Sequence, residues 1–118
     1  MQARFRLPMP PSVNACYRSV GGRTILSKGY RAWRERAIEA AQGVSYDRAG
    51  DRPVSVFVRL YPDSRRRYDI DNRTKPILDL LEHLGVFDND SQVERLHIRK
   101  HEPVGTGNGR ADVVVTWA

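Results

Sequence analysis

The side chains best suited to chemistry are concentrated in residues 65–90, which read RRRYDIDNRTKPILDLLEHLGVFDND. Asp69 and Asp71 are two positions apart, so an extended backbone directs both carboxylates to the same side. A second acidic pair, Asp88 and Asp90, follows the next predicted helix, and only the fold could bring it back to the first pair. Converging carboxylates stay ionised at low cost only beside a cation, and hard oxygen ligands favour Mg²⁺ or Mn²⁺ over zinc. We therefore predict that these aspartates hold a divalent metal ion.

The chemistry that such carboxylates and the neighbouring Lys75 would perform is phosphodiester hydrolysis. A divalent ion polarises the phosphodiester, lowers the pKa of bound water and neutralises the leaving oxygen. Lys75 follows Asp71 by one helical turn and would add a positive charge that stabilises the transition state or the leaving group. The predicted reaction is attack of metal-activated water on a phosphodiester.

Basic residues are in excess, with 20 lysines and arginines against 14 aspartates and glutamates and a net charge of +6. A sequence pI near 10.0 indicates a polyanionic partner such as a nucleic acid. Arginine and asparagine side chains are common contacts to phosphates and sugars. The residues predicted to bind nucleic acid are Asn14, Arg18, Arg65, Arg66, Arg67 and Arg73.

Each residue of the acidic stretch also has an explanation in stability alone, which the sequence leaves open. Asp71 could cap the helix that follows it, and Asp69 could pair with one of the preceding arginines. Lys75 could bridge to Asp79 at the i+4 position. These explanations account for single residues better than for the set, because two alternating aspartates beside three arginines are an awkward arrangement for stability alone.

Hydrophobic periodicity predicts the elements that position these residues. Period-two alternation predicts strands at Gln2–Leu7 and 53–61. Helical spacing predicts two helices, the second of them capped by Asp71 or Asn72. Two further strands near the C-terminus complete the order β-α-β-α-β-β. We predict an α/β (α+β) fold, a single two-layer domain over residues 1–118 with helices packed on a mixed four-stranded sheet.

Three details of the predicted fold concern single segments. Residues 12–26 show no sustained period and are predicted to form a loop that turns at two adjacent glycines. The strand at 93–100 is predicted to direct Leu96 and Ile98 inward. The residues predicted to pack the first helix on the core are Tyr30, Trp33, Ala37, Ala40, Ala41 and Val44.

Composition excludes several classes of protein and of site. Cys16 is the only cysteine, which excludes an internal disulfide and a cysteine-cluster zinc site. No apolar run approaches the roughly 20 residues of a membrane helix, and prolines break the N-terminal segment before a signal peptide could form. The glycines in 105–109 precede no helix, so no organic nucleotide cofactor is predicted. We expect a cytoplasmic protein with no membrane partner.

Three motifs of this chain occur together and in order. They are P-P-S-x-N near the N-terminus, R-R-R-x-D-x-D-N-x-x-K-P-x-x-D-x-L in the centre, and G-x-x-x-x-D-S-Q-V after it. This set resembles the RusA family of phage-type Holliday junction resolvases. The resemblance implies a homodimeric, Mg²⁺-dependent endonuclease of a bacterial or phage-infected cell, which acts in recombination and repair and cuts four-way DNA junctions by paired symmetric nicks. It also implies that Asp69, Asp71 and Asp90 are the essential carboxylates and that Lys75 is a further catalytic residue.

One position departs from the family pattern. Members often carry two adjacent acidic residues where this chain has Asn89 followed by Asp90. The amide of Asn89 still offers an oxygen, so activity is retained in this interpretation, but a lower metal affinity is expected.

The sequence leaves three other functions open. A basic module that binds nucleic acid without chemistry would need no metal and would survive neutralisation of Asp71. A nuclease for other branched DNA or for RNA would use the same residues on a different substrate. A small basic scaffold protein would show neither selective DNA binding nor metal dependence.

Overall fold

The computed structural model covers every residue of the chain, Met1–Ala118. Its strands are β1 (Gln2–Pro8), β2 (Tyr17–Val20), β3 (Arg23–Leu26), β4 (Val54–Tyr61), β5 (Val93–Lys100) and β6 (Arg110–Thr116). Its helices are α1 (Lys28–Gln42) and α2 (Thr74–His83), with 3₁₀ turns at Val13–Ala15, Ile70–Arg73 and Asp90–Gln92. Neither helix has the length and apolar character needed to span a membrane.

Four of the strands form one mixed sheet in the order β1-β6-β4-β5. β4 pairs in parallel with β5 and antiparallel with β6, which also pairs antiparallel with β1. Parallel neighbours require a crossover connection, and the segment 62–92, which includes α2, provides it. The predicted mixed four-stranded sheet with two helices is confirmed. All of the predicted carboxylates and Lys75 lie in this one crossover.

The hydrophobic core lies between one face of the sheet and the helices. Alternate residues of β1, β4 and β6 are buried, as their sequence alternation predicts. Nε1 of Trp33 donates a hydrogen bond of 2.9 Å to the carbonyl of Pro8, which fixes α1 against the end of β1. Ala40 and Val44 are exposed, contrary to the prediction, because Ala40 lies at the edge of the buried stripe and Val44 follows the end of α1. The buried residues of α1 are Tyr30, Trp33, Ala37 and Ala41.

Residues 17–26 form a hairpin, so for them the prediction of a loop over residues 12–26 is wrong. β2 and β3 pair antiparallel, and Gly21 and Gly22 turn the chain with positive φ angles of 56° and 76°. Every residue of β2 is exposed, and so is all of β3 except the half-buried Leu26. Alternation arises where one face of a strand is buried, and this hairpin buries neither face, so its sequence lacks the signal. The observed order is therefore β-β-β-α-β-α-β-β.

The start of α2 also differs from the prediction. Neither Asp71 nor Asn72 caps the helix, because both lie in the 3₁₀ turn Ile70–Arg73 that precedes it. The N-cap position of α2 is Arg73, which makes no side-chain capping hydrogen bond. The 3₁₀ turn runs directly into α2 at Thr74, so the helix begins without a side-chain cap.

β5 is an edge strand, and its side chains are less buried than predicted. Leu96 pairs with the buried Val56 and so lies on the helix-facing side of the sheet, but it is 43% exposed. Ile98 is half-buried and packs against the core. The prediction of the face is right, and the prediction of burial for Leu96 is wrong, because an edge strand has a neighbour on one side only.

Candidate active site

The connection that leaves β4 carries the first two predicted carboxylates. Residues 62–69 are irregular, and the 3₁₀ turn that follows leads directly into α2. Oδ2 of Asp69 accepts a hydrogen bond of 3.2 Å from Nδ2 of Asn72, which orients the carboxylate. Asp71 lies within the turn and is exposed, and neither aspartate forms an ion pair. The alternative in which Asp69 pairs with an adjacent arginine is therefore wrong.

Lys75, in the first turn of α2, connects the helix to the second acidic segment. Its Nζ lies 2.9 Å from Oδ1 of Asp79 and 3.2 Å from Oδ2 of Asp90. The fold thus brings Asp90 back beside the first turns of α2, which sequence spacing alone leaves undetermined. Hydrogen bonds to Asp79 and to Asp90 raise the pKa of Lys75 above its ordinary value. Lys75 is a permanent cation at neutral pH and does not act as a general base.

The ion pair proposed as the structural alternative for Lys75 is present, together with the contact to Asp90. The side chains of Lys75, Asp79 and Asp90 are 51%, 31% and 37% exposed. Ion pairs this exposed contribute at most about 1 kcal/mol to stability, because water screens the charges. Stability gives only a weak reason for this arrangement, whereas a cation accessible to solvent beside carboxylates suits contact with a phosphate.

The short segment that carries Asp90 is held by the side chain of Gln92. Its Oε1 accepts hydrogen bonds from the N–H groups of Asp88 (2.9 Å) and Asn89 (2.7 Å). Its Nε2 donates to the carbonyls of Gly50 (2.8 Å) and Arg52 (2.7 Å). One amide thereby ties the acidic loop to the segment before β4. The position of Asp90 consequently depends on Gln92 as well as on the contact with Lys75.

Asn89 has a structural role that accounts for its side-chain oxygen. Oδ1 of Asn89 accepts a hydrogen bond of 2.8 Å from the N–H of Ser91 and caps the 3₁₀ turn Asp90–Gln92. Asp and Asn are equally good caps of this kind. The departure from the family pattern at this position therefore preserves the loop, while the expected lower metal affinity stays a prediction.

The chemistry of the donor set fits a hard divalent ion, although its side chains are not gathered around one point. Nowhere in the chain do three His, Cys, Asp or Glu side chains stand close enough together to hold a metal ion. Asp69 and Asp71 have no cationic partner, and the carboxylate of Asp90 is bound by Lys75. Exposed carboxylates change rotamer readily, and oxygen ligands of this type suit Mg²⁺. The assignment of Asp69, Asp71 and Asp90 as metal ligands stays a prediction.

A basic groove of about 910 Å³ lies next to Asp69. Its basic residues, which we call the groove cations, are Arg36, Arg66, Arg67, Arg73 and Lys100, and none of them forms an ion pair.

Two of the groove cations, Arg73 and Lys100, lie over the ring of Tyr68, 5.3 Å and 4.2 Å from its centroid. Arg73 also donates from Nη1 to the carbonyl of Pro10 at 2.7 Å, and Lys100 donates from Nζ to the carbonyl of Tyr68. Burial lowers the pKa of Arg73, because no carboxylate offsets the cost of its desolvation. Cations fixed in place without acidic partners are typical of a phosphate-binding surface.

The structure brings only part of the predicted nucleic-acid set to this groove. Arg66, Arg67 and Arg73 line it. Arg65 forms an exposed ion pair of 2.8 Å with Glu102 instead. Asn14 lies in the 3₁₀ turn Val13–Ala15 and Arg18 lies in β2. Both are exposed, and neither lines the groove.

Comparison with known protein families decides which family the chain belongs to. The family model described as "Endodeoxyribonuclease RusA" matches residues 8–116. The chain belongs to the RusA family. The RusA match includes both acidic segments, Lys75 and the groove cations, so it covers the whole candidate site.

Curated RusA proteins are similar to this chain along most of its length. The crossover junction endodeoxyribonuclease RusA of Enterobacteria phage 82 is 34% identical over 110 residues, which are 93% of this chain and 90% of the relative. The protein of the same name from Escherichia coli strain K12 has the same identity and coverage. That of Aquifex aeolicus is 34% identical over 95 residues, or 80% of this chain and 75% of the relative. The predicted RusA resemblance is confirmed, and so is the predicted class of enzyme, an endodeoxyribonuclease.

Three contributors to the candidate site were missed by sequence reasoning. Gln92 stands within a motif and was assigned no role. Two of its four hydrogen bonds reach residues 42 and 40 positions away, which no local pattern reports. Arg36 and Lys100 join the groove from α1 and from the end of β5. In the sequence both are basic residues on exposed faces of predicted elements. Exposed basic residues are too common for this feature to single out Arg36 and Lys100.

Replacement of Gln92 by alanine is expected to loosen the acidic loop of this RusA protein. Four hydrogen bonds are lost, and since water replaces some of them, the expected loss of stability is about 2 kcal/mol. DNA cleavage should fall as well, because Asp90 is then restrained only by its contacts with Lys75 and Glu82. Thermal unfolding and cleavage rate measure the two effects. Asn89→Asp is the matched control in the same loop and should change stability by less than about 0.5 kcal/mol, since the cap is kept. An unchanged unfolding midpoint for Gln92→Ala would show that other contacts hold the loop.

Proposed function

We propose that this chain is a Mg²⁺-dependent endonuclease that resolves four-way DNA junctions by paired symmetric nicks, in recombination and repair. Membership of the RusA family supports the nuclease class, and the names of the phage 82 and Escherichia coli relatives support a junction as substrate. The observation that carries the proposal is the contact of 3.2 Å between Lys75 and Asp90. Through this contact Asp90 lies beside the first turn of α2, the helix that follows Asp69 and Asp71, and Asp69 itself lines the groove of unpaired cations.

The proposed site divides the work between acidic and basic side chains. Asp69, Asp71 and Asp90 would hold the ion, which when bound supplies polarisation of the phosphodiester and a lower pKa for the attacking water. Asn72 donates a hydrogen bond to one oxygen of Asp69, which restrains this exposed carboxylate without fixing it. Lys75 supplies a fixed positive charge to the phosphate as negative charge develops on its oxygens.

The groove cations position the DNA strand in this proposal. Arg66, Arg67 and Arg73 present guanidinium groups, which bind phosphate oxygens in a fixed fork geometry. Their lack of acidic partners in the protein leaves them available for phosphates on either side of the bond that is cut. Phosphate contacts carry no sequence information, so this surface favours recognition of DNA shape.

A homodimer is part of the proposal, because a four-way junction has approximate two-fold symmetry. Two identical active sites related by a two-fold axis can cut opposite strands at symmetric positions. Sedimentation velocity at concentrations used for cleavage measures the state of the protein directly. A monomer that nevertheless makes paired nicks would contradict the dimer and leave the nuclease proposal standing.

The proposal is tested by cleavage of a synthetic mobile four-way junction in Mg²⁺ or EDTA. We expect paired nicks that require the metal, with little cutting of a linear duplex of the same sequence. Binding without cleavage in both Mg²⁺ and Mn²⁺ would favour a non-catalytic DNA-binding module. Faster cutting of flaps, forks or RNA than of junctions would favour a nuclease for other branched substrates.

A further inference from the structure

The face of the sheet that points away from the helices carries a cluster of arginines. Because side chains alternate along a strand, the neighbours of the buried residues of β1, β4 and β6 point to this open face. A groove of about 720 Å³ runs across it. Its charged residues, which we call the arginine face, are Arg4, Arg6, Arg59, Arg99 and Asp112.

One row of the arginine face places two like charges side by side. In register across four strands it reads Arg6, Asp112, Arg59 and Arg99. Asp112 is already bonded by Arg6 at 3.2 Å and by Arg110 at 3.3 Å. Arg59 and Arg99 are direct partners in the parallel pair and have no ion pair. Like charges opposite one another destabilise a sheet, so stability does not explain this pair.

The neighbouring row forms an apolar floor bordered by positive charge. It reads Arg4, Val114, Phe57 and His97. Val114 and Phe57 are half-buried, and the rings of Phe57 and His97 lie 6.0 Å apart. Arg4 on β1 is exposed and unpaired, and three strand spacings of about 4.8 Å separate it from β5. The floor of the groove therefore extends across four strands, with Arg4 at the β1 edge and Arg99 of the neighbouring row at the β5 edge.

Charge complementarity decides between the possible occupants of this face. A second copy of the chain packed on it about a two-fold axis would oppose arginines to arginines, which is repulsive. Glu94 lies at the far end of the open face, beside Ser55 and Thr116, and does not offset the central cluster. A polyanion would neutralise Arg4, Arg59 and Arg99 together.

We propose that the arginine face binds the phosphate backbone of duplex DNA, as a contact surface separate from the carboxylate site. That the polyanion is DNA rests on the proposed function. Lys75 and the groove cations Arg66 and Arg67 belong to the crossover between β4 and β5, whereas the arginine face lies on the side of the sheet opposite the packed helices. Contacts on this face hold a duplex arm without taking part in the cut, so they increase affinity for DNA of any sequence.

The test measures DNA binding in EDTA, where no cleavage occurs, as a function of salt concentration. Each phosphate contact contributes about 0.9 to the slope of log affinity against log salt, so Arg59→Gln/Arg99→Gln should lower the slope by about 1.8. The matched control is Lys28→Gln/Arg31→Gln, which removes the same charge from exposed positions of α1. The control should leave the slope nearly unchanged. The unfolding temperature of Arg59→Gln/Arg99→Gln should be maintained or raised, because a repulsive pair is removed.

Three outcomes would overturn the inference. Equal slopes for the wild type and Arg59→Gln/Arg99→Gln would show that phosphates do not contact this face. Equal losses in both double variants would show that only net charge matters. Dissociation of a dimer by Arg59→Gln/Arg99→Gln, with DNA affinity per subunit unchanged, would make the face a subunit interface. Binding is measured without metal, so the two proposals fail separately. If the wild type cuts junctions but the double variant has the same slope as the wild type, this inference alone fails. If the double variant has a lower slope but the wild type cuts no DNA in Mg²⁺, the proposed function alone fails.

Discussion

Asp71→Asn is expected to abolish cleavage of a four-way junction while leaving the junction bound. The substitution keeps the size and exposure of the side chain and removes its charge, so the fold should be unaffected. Loss of one carboxylate ligand of the proposed ion should lower the cleavage rate by at least about 10³-fold, equivalent to about 4 kcal/mol of transition-state stabilisation. Binding should be equal or tighter, because a negative charge beside the phosphate has been removed. Asp69→Asn and Asp90→Asn should behave in the same way.

Asp88→Asn is the matched control for these variants. Asp88 lies in the same acidic loop and is exposed, and only its backbone N–H takes part in the loop's hydrogen bonds. Its neutralisation should change the cleavage rate by less than about 3-fold, a difference of about 0.6 kcal/mol. Full activity in Asp69→Asn, Asp71→Asn or Asp90→Asn would remove that residue from the proposed site. An equal loss in Asp88→Asn would indicate that the overall charge of the loop matters and not three particular ligands.

Lys75→Ala is expected to slow the chemical step far more than it destabilises the fold. Removal of a preorganised positive charge from a phosphoryl site should cost about 10²–10³-fold in rate. Stability should fall by no more than about 1 kcal/mol, since Lys75 is half-exposed and its ion pairs are screened by water. Single-turnover cleavage and thermal unfolding measure the two quantities. A large loss of stability with a proportionate loss of activity would favour the purely structural alternative.

Asp79→Asn separates the two roles of Lys75, because it breaks the pair at 2.9 Å and leaves the ammonium group in place. This variant should retain most of the activity that Lys75→Ala loses.

The pH dependence of stability and of the cleavage rate gives a further check on Lys75. The pKa of Lys75 is raised by its hydrogen bonds to Asp79 and Asp90, so the stability that it contributes is fully present below about 10.5, the ordinary lysine value, and is lost as the pH rises through the raised pKa. Between pH 6 and 9 no change in rate should originate from Lys75.

Hydrophobic periodicity in the sequence predicts the strands and helices of this fold that bury one face and expose the other. β1 and β4 alternate because one side of each packs on the helices, and α1 shows a stripe for the same reason. The β2–β3 hairpin buries neither face and so leaves no such pattern. The position of α2 is predictable from its leucines, but its first residue is not, because the 3₁₀ turn before it replaces the expected side-chain cap.

The candidate site was predictable in its residues and not in its contacts. Asp69, Asp71 and Lys75 are close in sequence, so their types and spacing are visible together. Asp90 reaches Lys75 only through the course of the crossover, and the register of β4 with β5 brings Lys100 to the groove. These contacts depend on tertiary packing between residues far apart in the sequence, and local sequence patterns carry no information about that packing.

The β2–β3 hairpin and the four-stranded sheet are expected to differ widely in their stability against local unfolding. It is joined to the rest of the fold at its base, where Ser27 donates to the carbonyls of Cys16 and Ala15, and its strands are exposed on both sides. Isolated two-stranded hairpins are marginally stable, so this one should open far more often than the four-stranded sheet. Its amide hydrogens should exchange with solvent orders of magnitude faster than those of β4, whose pairing on both sides opens only with global unfolding. The chain thus combines a stable four-stranded sheet, from which the crossover with the carboxylates extends, with a hairpin that can change its conformation while the sheet stays intact.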